Sequence, residues 1–101
     1  MFFNRTPSIS TKELEELLAE KVSIIDVRPT HSFQAGHIPG AKNVPLQKIE
    51  NYTPKGKTYI ICQTGVSSKS ATKYLSDKAY DVVNVKGGMS TWTGKTRGGK
   101  L

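Results

Sequence analysis

The stretch Thr58-Tyr59-Ile60-Ile61-Cys62-Gln63-Thr64-Gly65-Val66-Ser67-Ser68 decides the fold of this 101-residue chain. Its first half is apolar and rich in strand-forming residues, and its second half is a short polar loop. Apolar residues at helical spacing follow over residues 67–78. The stretch therefore predicts a strand, a tight turn and a helix, with Cys62 between the carboxyl end of the strand and the amino end of the helix.

The same alternation of strand and helix continues on both sides of this stretch. Ser10 followed by Glu13 has the spacing of a capping box and predicts the start of the first helix. Helices are predicted at 11–20, 30–35, 46–51 and 67–78, a last turn at 89–92, and strands at 8–9, 22–27, 43–45, 58–62 and 82–85. Short connections between alternating elements favour a parallel sheet covered by helices, which is an α/β domain. One domain is expected over residues 8–93, between an N-terminal extension (1–7) and a basic, Gly-rich tail (94–101). Lys95, Arg97 and Lys100 of this tail are expected to be solvated.

The net charge of +7 is carried by the second half of the chain. Residues 1–50 hold equal numbers of basic and acidic side chains, whereas residues 51–101 hold nine Lys and Arg against Asp77 and Asp81. The half that contains Cys62 therefore attracts small anions and favours a thiolate. No basic helix stripe or aromatic-basic pattern accompanies the charge, so nucleic acid is not an expected partner.

One cysteine and two histidines limit the chemistry further. They are too few for a zinc site, and a single cysteine cannot form an internal disulfide or a paired-thiol redox centre. No apolar run reaches the length of a membrane span, and residues 1–7 do not resemble a signal peptide. A cytoplasmic protein without a metal site or a membrane partner is expected.

Cys62 is the predicted nucleophile, because ligands bind at the carboxyl ends of parallel strands and helix amino ends favour anions. Gly65 permits a turn that directs backbone N–H groups towards the sulfur, and Ser67 and Ser68 are expected to donate hydroxyl hydrogen bonds and cap the helix. A cysteine phosphatase needs arginine six residues after the nucleophile, where this chain has Ser68. Sulfur transfer through a persulfide is the chemistry that remains.

Four motifs in order then resemble the single-domain rhodanese (sulfurtransferase) family: Asp26-Val27-Arg28, Phe33 with Gly36-His37-Ile38-Pro39-Gly40-Ala41, the loop 62–68, and Gly87-Gly88 with Trp92. The resemblance implies a three-layer α/β/α fold with a five-stranded parallel sheet in the order 3-2-4-5-1. It also implies a persulfide on Cys62, no bound cofactor, a small sulfur-containing anion such as thiosulfate as donor, and a thiol or cyanide as acceptor. The substrate-binding residues would be Gln63, Thr64, Gly65, Val66, Ser67 and Ser68.

The chain departs from the family at Ser67, where many members carry an arginine that helps to bind the donor. Lys69 or Lys86 would then assist the backbone amides, and Asp26 and Arg28 are expected to form a supporting ion pair. His37 and Trp92 are interpreted as structural and His31 as an exposed helix residue. Two alternatives stay open: a rhodanese-like binding module without catalysis, and a sulfur relay supplied by a partner protein.

Overall fold

A computed structural model describes residues 6–99 of the chain. Much of the predicted N-terminal extension, and Lys100 in the predicted tail, lie outside these residues. The strands are β1 (Ser8–Ser10), β2 (Ser23–Asp26), β3 (Lys42–Asn43), β4 (Thr58–Ile61) and β5 (Val82–Lys86). The α-helices are α1 (Thr11–Leu17), α2 (Thr30–Ala35) and α3 (Val66–Asp77), and 3-10 turns cover Leu18–Glu20, Leu46–Asn51 and Gly88–Thr91.

All five strands are parallel and lie in the order β1-β5-β4-β2-β3. This is the predicted order 3-2-4-5-1 counted from the other edge, so the predicted fold is confirmed. Strand β4 is central, with Ile61 opposite Asp26 of β2 and Ile60 opposite Asn84 of β5. The carboxyl ends of β2, β4 and β5 therefore meet at one edge, and Cys62 follows directly after β4.

Apolar residues on the two faces of the sheet build two core clusters. On one face, Ile25, Ile60 and Cys62 share a cluster with Ala71 and Leu75 of α3. On the other face, Ile24, Tyr59, Ile61, Val83 and Val85 pack with Leu14 of α1 and, less deeply, Trp92. Side chains alternate between the faces of a strand, so strands covered on both faces are apolar along their whole length.

Most predicted elements lie within a residue or two of their expected positions, and the differences have local causes. The Ser10–Glu13 capping box is present, with the Glu13 amide donating to Ser10 Oγ at 3.1 Å and the Ser10 amide to Glu13 Oε1 at 2.9 Å. Strand β3 ends at Asn43 rather than at Pro45, since proline has no N–H to donate to a ladder. Backbone hydrogen bonding resumes after Pro45, where the Leu46 amide donates to the carbonyl of Val27 at 3.0 Å.

The tail expected to be solvated has exposed Lys95 and Arg97 side chains but a paired backbone. Arg97 and His37 exchange two backbone hydrogen bonds of 2.8 Å as an antiparallel bridge. The Gly99 amide donates to the carbonyl of Gln34 at 2.7 Å. Residues 97–99 are therefore attached to the segment that leads from α2 to β3.

Candidate active site

The sulfur of Cys62 lies in a cradle formed by the first turn of α3 and the loop before it. Its Sγ accepts hydrogen bonds from the Gly65 amide at 3.1 Å and the Ser68 amide at 3.2 Å, and lies 3.3 Å from Ser68 Oγ. Cys62 is 3% exposed. The predicted position of the thiol against the amino end of a helix is confirmed.

Gly65 gives the loop its shape. Its φ of +95° lies in the left-handed region, and a Cβ there would stand 2.9 Å from the backbone nitrogen of Gly87. Gly65 is also the N-cap of α3, which has no side-chain cap. The expectation that Ser67 and Ser68 cap this helix is therefore wrong, because both lie inside it and the glycine turn already directs the free amides towards the sulfur.

The cradle shifts the acidity of the thiol. Burial acts to raise the pKa of Cys62, but hydrogen bonds from the Ser68 hydroxyl and from the amides of Ser68, Gly65 and Thr64 outweigh it. The net result is a pKa below the ordinary value of a thiol. Hydrogen-bond donors stabilise the thiolate, which is the nucleophilic form of the residue.

Asn84 of β5 continues the hydrogen bonds beyond the sulfur, and the sequence reasoning missed it. The Ser68 hydroxyl donates to Asn84 Oδ1 at 2.6 Å, and Asn84 is 3% exposed. The available signal was its place in Val82-Val83-Asn84-Val85, because a polar residue in an apolar strand needs a buried partner.

A second segment, the turn after Gly87, supports the loop through its backbone. The Met89 amide donates to the Cys62 carbonyl at 2.8 Å, and the Ser90 amide donates to the Gln63 carbonyl at 2.9 Å. Gly88 has a φ of +57°, and a Cβ on it would stand 2.4 Å from the Cys62 carbonyl oxygen. The close approach of this turn to the loop therefore requires a residue without a side chain.

Asp26 and Arg28 form the predicted ion pair at the end of β2. Arg28 Nη2 lies 2.8 Å from Asp26 Oδ2, and its Nε lies within 3.1 Å of both carboxylate oxygens. The same guanidinium donates to the carbonyl of Gly36 at 2.7 Å and to Gln63 Oε1 at 3.4 Å. These contacts occupy Arg28 and connect β2 to the loop, so the pair supports the site rather than facing a ligand.

Lys69 and Lys86 lie on one side of the loop. With Lys73, Thr64 and Val66 they line a pocket of about 550 Å³. Among residues 6–99, Asn84, Gly65, Gly87, Ser70 and Thr6 also line this pocket. The lysines therefore border the candidate site without contacting the sulfur. A larger pocket of about 660 Å³ is lined by residues such as Glu15, Leu18 and Val22 and by none of the loop.

Other predicted roles have clear outcomes. His37 is buried, its ring stacks on Phe33 with centroids 3.7 Å apart, and its Nδ1 lies 2.8 Å from the Phe33 carbonyl oxygen. The structural interpretation of His37 is confirmed, as is the exposure of His31. Trp92 packs against the core cluster of α1, and its Nε1 donates to the Lys95 carbonyl at 3.0 Å. Ser67 is half-buried.

Residues 6–99 contain neither clustered metal-ligating side chains nor a long apolar helix. No group of three or more His, Cys, Asp or Glu side chains is placed to hold a metal ion there. Within the same residues, no helix has the length and apolar character that crossing a membrane requires.

Comparison with known proteins agrees with the fold. The model of the rhodanese-like domain matches residues 10–95. YtwF of Bacillus subtilis, named as a candidate sulfurtransferase, is 36% identical over 96 residues, which cover 88% of this chain and 92% of YtwF. GlpE of Shewanella oneidensis, named thiosulfate sulfurtransferase, is 31% identical over 90 residues, which cover 83% of this chain and 89% of GlpE.

YrkF is a relative that is longer than this chain, and solved structures also match. YrkF of Bacillus subtilis, named as a candidate sulfur carrier protein, is 33% identical over 97 residues, but this chain spans only 52% of its length. The crystal structure of a rhodanese-like domain protein from Staphylococcus aureus superposes with a TM-score of 0.78 at 38% identity. The match covers 86% of this chain and 91% of that structure. The chain therefore belongs to the rhodanese-like domain family.

Proposed function

We propose that this protein is a sulfurtransferase that carries sulfane sulfur as a persulfide on Cys62. The observation that carries the proposal is the cradle around Sγ, in which the amides of Gly65 and Ser68 donate to the sulfur at 3.1 and 3.2 Å. Donors fixed in this way stabilise a thiolate before reaction and a persulfide anion after it.

The reaction needs no cofactor and proceeds in two displacements. The Cys62 thiolate attacks the outer sulfur of thiosulfate, a new S–S bond forms, and sulfite leaves with the electron pair of the broken S–S bond. An acceptor thiolate or cyanide then attacks the outer sulfur of the persulfide. The persulfide S–S bond breaks, the acceptor leaves with the sulfur atom, and the Cys62 thiolate returns.

The loop residues and the nearby lysines have distinct proposed roles. Residues 63–68 bind the donor anion through their amides, with Lys69 and Lys86 adding positive charge beside the loop. The ion pair of Asp26 and Arg28 holds the end of β2 and the Gln63 side chain in place. A single free thiol of this kind suits a reducing, cytoplasmic setting.

Phosphoryl transfer is a weaker candidate on the same geometry. A phosphatase would grip the phosphate with an arginine at the position of Ser68, whereas Ser68 is fully buried and donates to Asn84. Arg28 cannot replace that group, because Asp26, Gly36 and Gln63 already accept hydrogen bonds from its guanidinium.

The test is a mass measurement on the intact protein. Wild-type protein treated with thiosulfate should gain one sulfur atom, and cyanide should remove it as thiocyanate. The Cys62→Ser protein should gain none. If Cys62→Ser still converts thiosulfate and cyanide to thiocyanate, the proposed mechanism is wrong.

A sulfur relay with a partner protein is a second candidate, favoured by the surface next to the loop. Val66 is 71% exposed and is the only large hydrophobic residue with that exposure among residues 6–99. Lys69, Lys73 and Lys86 line the same pocket, so an apolar point lies within a basic surface. An acidic protein that carries a thiol fits this combination, because opposite charges steer association.

Two acceptor peptides of equal length test the relay, one with glutamates flanking its cysteine and one with glutamines. The relay predicts that the persulfide form transfers sulfur preferentially to the acidic peptide, after correction for the thiol pKa of each peptide. Lys69→Glu should remove the preference, and Lys55→Glu, at the opposite end of β4, should keep it. The relay is contradicted if the wild type, Lys69→Glu and Lys55→Glu all prefer the acidic peptide to the same degree. Wild-type protein that gains sulfur from no donor would instead indicate a binding module.

A further inference from the structure

The Ser68 hydroxyl lies between two buried acceptors and has only one hydrogen to donate. Its Oγ lies 2.6 Å from Asn84 Oδ1 and 3.3 Å from Cys62 Sγ. Ser68 is fully buried, and Cys62 and Asn84 are each 3% exposed. No bulk solvent replaces a hydrogen bond that is lost here, so the direction of this hydrogen matters.

With Cys62 as a thiol, the hydrogens of the thiol and of the Ser68 hydroxyl each have an acceptor. The S–H group donates to Ser68 Oγ, and the Ser68 hydroxyl donates to Asn84 Oδ1. An anionic sulfur has no hydrogen to donate to Ser68 Oγ. It gains a third donor, beside the amides of Gly65 and Ser68, only if the Ser68 hydroxyl turns away from Asn84. Oγ and Oδ1 would then face each other at 2.6 Å without a hydrogen between them.

The Asn84 side chain is able to resolve this conflict. A half-turn of its amide exchanges Oδ1 for Nδ2, so that the amide donates to Ser68 Oγ while the hydroxyl donates to sulfur. Asn84 also lines the pocket beside the loop, which leaves space for the end of the amide that turns away from Ser68. In either protonation state of the sulfur, a hydrogen then lies between Ser68 Oγ and each of its two neighbours, Cys62 Sγ and the Asn84 amide.

We infer that Asn84 is a positioning residue for sulfur transfer, whose amide directs the Ser68 hydroxyl away from Cys62 as a thiol and towards it as an anion. The inference rests on the proposed function only for the identity of the reaction, sulfur transfer, that Asn84 would assist. The direction of the Ser68 hydroxyl affects the pKa of the Cys62 thiol, which can be measured in protein that has not been treated with a sulfur donor.

Charged groups near this row do not change when Asn84 is replaced. They are Lys69 and Lys73 on α3, Lys86 on β5, and the ion pair of Asp26 and Arg28 at the end of β2. The lysines favour an anionic sulfur equally in the wild type and in variants of Asn84. Differences among those variants therefore report on the hydroxyl and on any charge introduced at position 84.

The experiment follows the alkylation rate of Cys62 by iodoacetamide against pH, which reads one thiol because the full chain has one cysteine. In Asn84→Asp the carboxylate only accepts, so the hydroxyl stays turned from sulfur and the thiol pKa should rise by about one to two units. In Asn84→Ala the hydroxyl is free to turn, and the pKa should stay within about half a unit of the wild type.

A Ser68→Ala background separates the hydroxyl from the charge of the aspartate. The inference predicts that most of the Asn84→Asp shift disappears when Ser68 is alanine, whereas charge alone would give the same shift in both backgrounds. An equal shift in both backgrounds overturns the inference. So does a rise of one unit or more in Asn84→Ala, which would indicate a merely structural role.

The inference stays testable if one variant does not fold. Circular dichroism checks each variant before alkylation, and if Asn84→Asp is unfolded, a rise of one unit or more in Asn84→Ala still overturns the inference. Failure of the wild type to turn over thiosulfate would count against the proposed function. It would leave the titration, and hence the role of Asn84, unaffected.

Discussion

Replacing Gly88 with alanine is expected to damage both the fold and the thiol, because the added methyl group points at the backbone of the Cys62 loop. The new Cβ would stand 2.4 Å from the Cys62 carbonyl oxygen and 2.7 Å from the carbonyl carbon of Gln63. Ordinary contact begins at 3.4 Å, so the nearest atoms must separate by 3.4 − 2.4 = 1.0 Å. Both obstacles are backbone atoms, which cannot rotate away as a side chain would.

The expected cost has two parts. Alanine in the left-handed conformation at φ +57° costs about 1–2 kcal/mol. Forcing an extra methyl group into a packed site costs about a further 1–3 kcal/mol. The free energy of unfolding should therefore fall by about 2–5 kcal/mol, which a domain with the usual 5–15 kcal/mol survives. The displaced loop should also lose hydrogen bonds to Sγ, which raises the pKa of Cys62.

Gly40 provides the matched control. Its φ is +89°, but nothing lies within 4 Å of the Cβ that alanine would add. Gly40→Ala therefore carries only the conformational cost of about 1–2 kcal/mol and should leave the thiol unchanged. Urea unfolding and the pH profile of alkylation measure the two effects. If Gly88→Ala matches Gly40→Ala in both the free energy of unfolding and the pKa of Cys62, the close contact between the turn and the loop is not what requires glycine at position 88.

Arg28→Met should lower the free energy of unfolding by about 3–5 kcal/mol, because it leaves the fully buried Asp26 without its partner. The double variant Asp26→Leu/Arg28→Met should lose less free energy of unfolding than Arg28→Met alone. An equal or larger loss, measured by urea unfolding, would contradict this. The lowered pKa of Cys62 makes a separate prediction. Because the unfolded thiol holds its proton more tightly, stability should rise with pH from the folded pKa to about 8.5 and be lost as pH falls through the folded pKa. Urea unfolding across this range should show the rise in the reduced wild type and not in Cys62→Ser; the same rise in both would refute it.

The order of elements and the position of the nucleophile were predictable because they depend on local patterns. An apolar strand, a glycine turn and a helical stripe are all contiguous around Cys62, and the capping box needs only Ser10 and Glu13. The distant motifs were placed correctly relative to one another through the resemblance. The ion pair of Asp26 and Arg28 was predictable for a similar reason, since Asp26 ends β2 and Arg28 follows two residues later.

The parts that were missed depend on contacts between segments far apart in the chain. Asn84 reaches Ser68 across 16 residues, and only the register of β5 against β4 brings them together. The capping role expected of Ser67 and Ser68 failed because Gly65 begins the helix earlier than the apolar stripe suggested. The tail was expected to be solvated since its side chains are polar, but its backbone pairs with His37, which a composition argument cannot detect.

The shortness of the outer strands has a consequence for the behaviour of the protein in solution. The two edges of the sheet are β1 with three residues and β3 with two, whereas the inner strands have four or five. An exposed edge is a template for pairing with another chain, and very short edges offer few free N–H and C=O groups. The apolar inner strands are thereby kept from edge-to-edge association, so the folded protein should resist aggregation at high concentration.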